Sequence, residues 1–416
     1  MSEPTRLASP RHAALAFIFI TVLLDMLAFG MVIPVLPRLV VRFVGGDTAR
    51  GAAVYGLFGT VFALMQFLFA PVQGALSDRF GRRPVILLSN FGLALDYAVM
   101  ALAPTVGWLF VGRVIAGITS ASFSTAGAYI ADVMPPEKRA GGFGMLSVAF
   151  GVGFVLGPAV GGVLGGVNPR LPFWVAGGLS LLNAMYGLFV LPESLPPQRR
   201  GSFDLRRANP VGALALLRSH PELFGLAAAN FLNYVAHDVQ PSVFVLYTSY
   251  RYGWDESTVG FVLALVGVTS AIVGGALVQP IVTRFGERRV LLGALLAGAA
   301  GFALYGIAPT GAIFCFGIPV VALWGLAFPA AQGLMTRFVG PSEQGQLQGA
   351  ITSLRGIAGL IAPGLFTQTF AIFIDPRCPW QLPGAPFLLA ALLVAAGMGL
   401  GWYVTRARIT ESPSFP

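Results

Sequence analysis

Gly74-Ala75-Leu76-Ser77-Asp78-Arg79-Phe80-Gly81-Arg82-Arg83-Pro84 separates two apolar runs, one at about 52–73 and one that begins at Val85. Eleven residues leave room only for a tight turn between two helices. A short basic turn between hydrophobic helices is typical of a loop held at the inner surface of a membrane. Charge alone favours a topology signal, but Asp78 is also placed to pair with arginine or with helix-end N–H groups as a conformational clamp.

The composition is that of a membrane protein. The chain has 416 residues, of which 56% are hydrophobic and only 10% are charged, and its 53 glycines and 30 prolines lie largely inside apolar runs. Membrane helices tolerate both residue types and use small residues for close packing. Cys315 and Cys378 are too few for a disulfide framework.

Twelve apolar runs are each long enough to cross about 30 Å of hydrocarbon as a helix. The polar stretch 192–221 divides them into six and six, which predicts an all-α membrane protein with bundles at 1–191 and 222–416 and a basic linker between them. The predicted spans are 13–36, 52–74, 85–103, 107–130, 141–165, 171–191, 222–247, 257–282, 290–308, 311–336, 346–373 and 385–404.

The placement of the positive charge predicts the orientation. With a cytoplasmic N-terminus, 18 of the 26 lysines and arginines fall on inner segments and 6 on outer loops. This bias predicts that both termini and the linker are cytoplasmic. It also accounts for the net charge of +9, so we expect the lipid bilayer and not a nucleic acid to be the partner of this charge.

The two halves repeat a short motif. Arg79-Phe80-Gly81-Arg82-Arg83 returns as Arg284-Phe285-Gly286-Glu287-Arg288, in both cases between the second and third spans of a half. Internal repeats of this kind build transporters whose site lies between the halves.

The chain resembles the drug:proton antiporters of the major facilitator superfamily over essentially its full length. The resemblance rests on four motifs: the loop Gly74–Arg83, Gly112–Gly117 in the fourth span, Gly153–Gly162 in the fifth and Leu191-Pro192-Glu193-Ser194 after the sixth. It implies twelve helices in two pseudo-symmetric bundles that work by alternating access. Gly153, Gly157 and Gly161 would let the fifth span pack closely against a neighbour.

Within the superfamily the chain is most similar to bacterial tetracycline efflux proteins. The shared segments are Leu23–Asp25, Pro34–Pro37, Ala63–Gln66, Leu95–Tyr97 and Gly345–Gly349. The resemblance implies a monomer in the bacterial cytoplasmic membrane that exports a small amphipathic drug in exchange for protons. Tetracycline or a metal–drug chelate is the candidate substrate. No cofactor is expected, because the proton gradient supplies the energy and any divalent metal would come with the substrate.

Ionisable groups inside apolar spans are costly and mark substrate or proton pathways. Asp25, Asp96 and Asp238 are the predicted proton-coupling residues, and Asp25 would bind proton and cationic drug in competition. The predicted substrate-binding residues are Asp25, Gln66, Asp96, Arg113 and His237. Asp96 could instead only satisfy an arginine, and His237-Asp238 could be solvated near the outer end.

The predicted gating residues lie at the inner surface. They are Asp78, Arg79, Arg82 and Arg83 of the loop, with Asp132 as the charge partner. A solvated loop cluster is the alternative.

The second half departs from the tetracycline pattern. Where that family has a histidine in the eighth span and an aspartate in the ninth, this chain has Ser270 and Ala297. We therefore expect the first-half site to be kept, with Asp238 as the candidate for the second-half role.

Two other classes of function remain open. A facilitator or symporter for a small metabolite would transport independently of pH. A membrane enzyme or receptor fits less well, because the sequence shows no paired catalytic carboxylates, metal-ligand cluster or nucleophile elbow.

Overall fold

The computed structural model of the chain describes residues 10–120, 122–135, 138–200, 214, 216–217, 221–340 and 343–406. Both chain ends and most of the predicted basic linker lie outside these ranges, so the cytoplasmic orientation of the termini stays a prediction.

Within the ranges that the structure describes, the first half forms eight α-helices. Six predicted spans account for all of them, because the first span continues into a short second helix and the fourth is broken in two. The helices are α1 (Pro10–Val32), α2 (Leu36–Phe43), α3 (Thr48–Phe80), α4 (Arg82–Leu102), α5 (Val106–Thr119), α6 (Ser122–Val133), α7 (Arg139–Val167) and α8 (Leu171–Val190).

The described residues of the second half form nine α-helices and one π-helical turn, Val273–Leu277, in the predicted eighth span. The helices are α9 (Pro221–His237), α10 (Val239–Tyr252), α11 (Glu256–Ile272), α12 (Val278–Phe285), α13 (Glu287–Ile307), α14 (Gly311–Trp324), α15 (Ala327–Thr336), α16 (Gln344–Ile374) and α17 (Ala385–Arg406).

Glycines set the turns of the repeated motif. Gly81 has a φ of 107° where α3 gives way to α4, and Gly286 has a φ of 76° where α12 gives way to α13. L-residues rarely adopt such angles, so both turns require glycine. The glycine of the shared Arg-Phe-Gly pattern therefore has the same role in both halves, because it provides the positive φ that the turn needs.

Eleven helical segments of the described residues are long and apolar enough to cross a membrane. Seven of the twelve predicted spans lie wholly within them, and three more (85–103, 171–191 and 290–308) extend one residue beyond. The first overlaps the segment Leu15–Phe43, and the seventh is absent from the set. The predicted seventh span, 222–247, consists of α9 and α10, which are separated at Asp238. The all-α, multi-span architecture agrees with the prediction.

The chain divides into two compact units. The first comprises Met1–Val35 and Leu64–Ala208, and the second Leu36–Ala63 and Asn209–Pro416. Residues 36–63, which chain order assigns to the N-terminal bundle, thus group with the second unit. The predicted bundle boundaries at 191 and 222 stay a prediction.

Within the first unit, α1 packs closely on α7. A Cβ atom on Gly157 would lie 2.7 Å from the Cα of Gly30, and one on Gly161 would lie 2.1 Å from the carbonyl oxygen of Met31. These glycines therefore bring two backbones into direct contact, as the sequence predicted for the fifth span. This packing fixes α1, the helix that carries Asp25.

Candidate functional site

Asp25 lies on α1 and is only 3% exposed. The side-chain amide of Asn183, on α8, donates a hydrogen bond of 3.0 Å to its carboxylate. The same amide donates to the backbone oxygen of Thr21 at 3.1 Å, which fixes its orientation. Sequence reasoning missed Asn183, although a polar side chain in an apolar span is a signal that could have identified it.

Other buried polar groups lie close to this pair. Thr21, Asn90 and Ser180 are at most 1% exposed, and their side-chain polar atoms have no hydrogen-bond partner among the described residues. Thr21 lies one helical turn from Asp25, and Ser180 lies one turn from Asn183. Such groups offer donors and acceptors for a proton near the carboxylate.

Asn90 belongs to the same layer by helix packing. A Cβ atom on Gly187 would meet Leu87 at 2.9 Å, and one on Gly177 would meet Tyr97 at 3.4 Å, so α4 and α8 run antiparallel. Asn90 lies one turn beyond Leu87 on the same face of α4, which places it at the level of Asn183. We call Thr21, Asn90, Ser180 and Asn183 the buried polar layer.

Asp96 and Arg113 form an ion pair inside the first unit. An Arg113 terminal nitrogen lies 2.5 Å from the Asp96 carboxylate, which is fully buried. Gly112 provides the space, because a Cβ atom there would lie 2.6 Å from the same carboxylate. The phenol of Tyr97 lies within electrostatic range of Asp25, Asp96 and Arg113, so the three predicted residues belong to one region.

Gln66 lies on an exposed face of α3. Its amide nitrogen donates to the hydroxyl of Ser120 at 2.8 Å. Ser120 follows the last residue of α5, at the break in the predicted fourth span. Gln66 therefore contacts a discontinuous helix, a feature that in transporters often marks a binding site.

His237 and Asp238 lie at the break between α9 and α10, close to the middle of 221–252. The His237 Nδ1 and Asp238 Oδ1 atoms are 3.5 Å apart, and the side chains are 46% and 27% exposed. The predicted span is thus discontinuous at the two residues that the sequence selected. Their roles stay a prediction.

The loop Gly74–Pro84 forms the predicted charge cluster around one arginine. Arg82 donates to Asp132 at 2.9 Å and to Asp78 at 2.5 Å, and it also contacts the Ser77 hydroxyl at 3.0 Å. Arg83 instead donates to the backbone oxygen of Leu188. Asp132 is therefore brought to the loop.

Arg79 is the exception among the predicted gating residues. It is exposed, with its guanidinium 5.5 Å from the ring centre of Phe80, and within the described residues it forms no ion pair. The structure does not bring it into the cluster.

Glu193 is a further member of the cluster that the sequence analysis quoted only as part of a motif. Its carboxylate accepts hydrogen bonds from the backbone N–H groups of Arg82 at 2.8 Å and of Ser194 and Leu195, both at 3.0 Å. Ser194 in turn donates to Asp132 at 3.1 Å. The residues after α8 therefore join the loop to Asp132.

The second unit repeats the ion pair with opposite signs. Glu287 occupies the place of Arg82 in the repeated motif and pairs with Arg337. The partners are 50 residues apart in both units. The repeat thus extends beyond the five residues recognised in the sequence.

Ser270 and Ala297, the two positions that depart from the tetracycline pattern, lie in different surroundings. Ser270 is exposed on α11. Ala297 lines a largely apolar groove of about 240 Å³ with Arg289 at its edge. Among the described residues that line this groove none is acidic, so none takes the place of the absent aspartate there.

A buried carboxylate that the sequence analysis missed lies at the start of α11. Glu256 has a side chain only 8% exposed and forms ion pairs with Arg38 and with Arg42, the latter at 3.3 Å. Both arginines lie on α2, one turn apart. A buried acid with two arginines fastens α2 to α11 within the second unit.

Comparison with known proteins agrees with this architecture. The profile of the Major Facilitator Superfamily matches residues 18–363 and 226–411. The class C tetracycline resistance protein of Escherichia coli is 38% identical over 86% of this chain and 90% of its own length.

Two solved structures share the fold. The human organic anion transporter MFSD10 (TETRAN) is 25% identical, with a TM-score of 0.68 over 95% of this chain and 100% of that chain. A bacterial homolog of the human lysosomal transporter Spinster, in an inward-facing and occupied conformation, is 19% identical, with a TM-score of 0.76 over 98% and 100%. The predicted resemblance to tetracycline efflux proteins is thereby confirmed, and the chain belongs to the Major Facilitator Superfamily of multi-pass membrane transporters, a class distinct from enzymes.

Proposed function

We propose that this transporter exports a small amphipathic drug in exchange for protons, by alternating access in a bacterial cytoplasmic membrane. The tetracycline resistance proteins to which it is similar support the drug class. The observation that carries the proposal is Asp25, a carboxylate 3% exposed on the first spanning helix, bonded to Asn183 and bordered by the buried polar layer.

Competition at the Asp25 carboxylate would couple drug export to proton import. A proton and a cationic or metal-chelated drug cannot both neutralise Asp25 at once, so binding of one weakens binding of the other. The ion pair of Asp96 and Arg113 would hold polar groups of the substrate. Gln66 would contact the substrate from α3.

The inner cluster around Arg82 would act as the gate. A conformational change that separates α4 from α6 must break the contact between Arg82 and Asp132, so the cluster stabilises one state of the transport cycle. The pair of Glu287 and Arg337 would act in the same way in the second unit.

Tetracycline is one candidate substrate, and the second half is where this chain differs from the proteins that export it. Asp238 is our proposed second proton carrier in place of the absent aspartate at Ala297. Asp238→Asn should flatten the pH dependence of transport, and an unchanged pH profile would remove Asp238 from the coupling.

Uptake into inverted membrane vesicles tests the proposal. Tetracycline and ethidium are offered with and without an imposed pH gradient, to the natural chain, to Asp25→Asn and to Asp47→Asn. Asp47 is a matched control, because it is exposed and its carboxylate accepts a local backbone hydrogen bond from Arg50. We expect gradient-driven uptake that is lost in Asp25→Asn and kept in Asp47→Asn.

The competing functions give different results. A facilitator would equilibrate its substrate without a gradient and at any pH. Uptake that is unchanged in Asp25→Asn would contradict exchange at Asp25.

A further inference from the structure

The second unit contains a cluster of aromatic rings at the break between α9 and α10. Tyr234 stacks on Phe328 with 5.5 Å between ring centres, and Trp324 lies 5.3 Å from Phe328. The centre of the His237 ring lies 5.9 Å from the ring centres of both Trp324 and Phe328. We call Tyr234, His237, Trp324 and Phe328 the aromatic platform.

Trp324 is the fixed support of the platform. It is 3% exposed, and its indole N–H donates to Asn233 at 3.0 Å. Its other side packs on α13, where Phe302 lies 5.1 Å away and a Cβ atom on Gly298 would approach to 2.5 Å. Trp324 therefore cannot move without repacking the core, and it holds the buried side of the platform in place.

His237 is the most exposed side chain of the platform. Its side chain is 46% exposed although it lies midway along a broken spanning segment, and Phe328 and Tyr234 beside it are half-buried. The backing rings hold the imidazole in place, so its outer face is a preorganised stacking surface. The break at Asp238 and the break between α14 and α15 after Trp324 meet at this point.

A carboxylate borders that surface. Asp238 is 27% exposed, lies 3.5 Å from the imidazole and has its second oxygen 3.8 Å from where a Cβ atom on Gly359 would be. Gly359 thus leaves room on α16 beside the acid. Arg355, also on α16, lies within electrostatic range of Tyr234 at the other end of the platform.

We propose that the aromatic platform and Asp238 form a substrate subsite for a flat aromatic ring that bears a positive charge. The ring stacks on His237, and its charge is held by Asp238 and by the electron-rich faces of the neighbouring rings. Naming this ligand as a transported drug rests on the proposed export function. The binding itself does not depend on proton exchange.

Equilibrium binding to the purified full-length chain in detergent tests the inference. The probe is ethidium, a flat aromatic cation, followed by its fluorescence at one fixed pH. His237→Ala removes the stacking surface, whereas His237→Phe keeps a ring of similar size. Stacking predicts that His237→Ala weakens binding about fivefold and that His237→Phe stays within about twofold of the natural chain.

Two further variants separate charge from shape. Asp238→Asn should weaken ethidium binding while leaving unchanged the binding of N-phenyl-1-naphthylamine, a flat uncharged compound. Phe316→Ala is the matched control, because Phe316 lies on α14 with Trp324 but is 76% exposed and outside the platform. It should bind as the natural chain does.

Several results would overturn the inference. They are no ethidium binding by the natural chain, equal binding by His237→Ala and the natural chain, or equal loss in His237→Ala and His237→Phe. Gel-filtration profiles and helix content show that each variant is folded. Vesicle uptake that ignores the pH gradient would remove the exchange function and leave this binding result intact, so the two failures can be told apart.

Discussion

At the residue scale, the hydrogen bond that Asn183 donates to Asp25 can be tested directly. A hydrogen bond to an ionised carboxylate contributes about 1.5–3 kcal/mol, so Asn183→Ala should lower the free energy of unfolding by about that amount at a pH where Asp25 is charged. In an Asp25→Asn background the same change should cost clearly less, because the charge is gone. Denaturation of the four purified variants in detergent measures the coupling, and additive losses would mean that the two side chains act independently.

The pair of Asp96 and Arg113 allows structure and function to be separated. Removing one partner leaves a buried charge, so Asp96→Asn and Arg113→Ala should each destabilise the protein by about 3–5 kcal/mol. The double change Asp96→Leu with Arg113→Met should recover much of that loss, because it removes both charges at similar volume. Thermal stability and vesicle uptake are measured together.

The double variant decides between the two interpretations of Asp96. A stable double variant that does not transport would assign the pair to substrate handling. One that transports like the natural chain would limit Asp96 to neutralising Arg113.

At the element scale, the crossing of α1 and α7 depends on glycine. A Cβ atom at Gly157 would lie 2.7 Å and 2.8 Å from backbone atoms of Gly30 and Leu27, which cannot rotate away. Gly157→Ala should therefore cost about 1–3 kcal/mol in stability and reduce transport. Gly151→Ala, on the same helix with no atom within 4 Å of the new Cβ, should be neutral or stabilising by up to about 1 kcal/mol.

Melting temperatures of the two alanine variants provide the comparison. A similar change in both would show that helix propensity, and not the close approach of the backbones, decides the outcome. The contrast is informative because both glycines belong to the same apolar run and differ only in what they face.

Elements were predictable from the sequence where one physical signal dominates. Apolar length located the spans, and the Arg-Phe-Gly repeat located both turns. The breaks at Ser120 and Asp238 were not predicted. Small polar residues surround Ser120, and His237 and Gln240 lie beside Asp238, but the apolar runs on either side are long enough together to be taken as single spans. The sign-reversed pair of Glu287 and Arg337 was missed because charge complementarity between residues 50 apart leaves no local pattern.

At the scale of the whole molecule, the sequence pointed to the charged groups inside the first half more readily than to the neutral polar side chains beside them. Asp25, Asp96 and Arg113 stood out because charges are costly in apolar spans. Asn183 and Asn90 carry no charge and gave a weaker signal. Glu256 was missed because it precedes an apolar run and looks like a loop residue, whereas packing against α2 buries it.

The ion pairs of Glu256 with α2 also lead to a prediction about the transport cycle. Residues 36–63 precede the linker in the chain but pack with the second unit, where Tyr55 donates to the backbone oxygen of Pro241 at 3.3 Å and Gly56 packs on Thr367. Under the alternating-access mechanism that we propose, we expect such contacts to open and close. The ion pairs of Glu256 with α2 should therefore favour the packed arrangement.

Cysteine labelling measures that preference. In a background with Cys315→Ser and Cys378→Ser, Thr367→Cys places a thiol at a fully buried position beside Gly56. If the ion pairs contribute about 1.4 kcal/mol to the packed arrangement, Glu256→Gln should raise the labelling rate by a maleimide about tenfold. Asp47→Asn, a change in an exposed acid of the same connecting region, should leave the rate unchanged. Equal labelling with and without Glu256→Gln would show that apolar packing alone holds residues 36–63 in place.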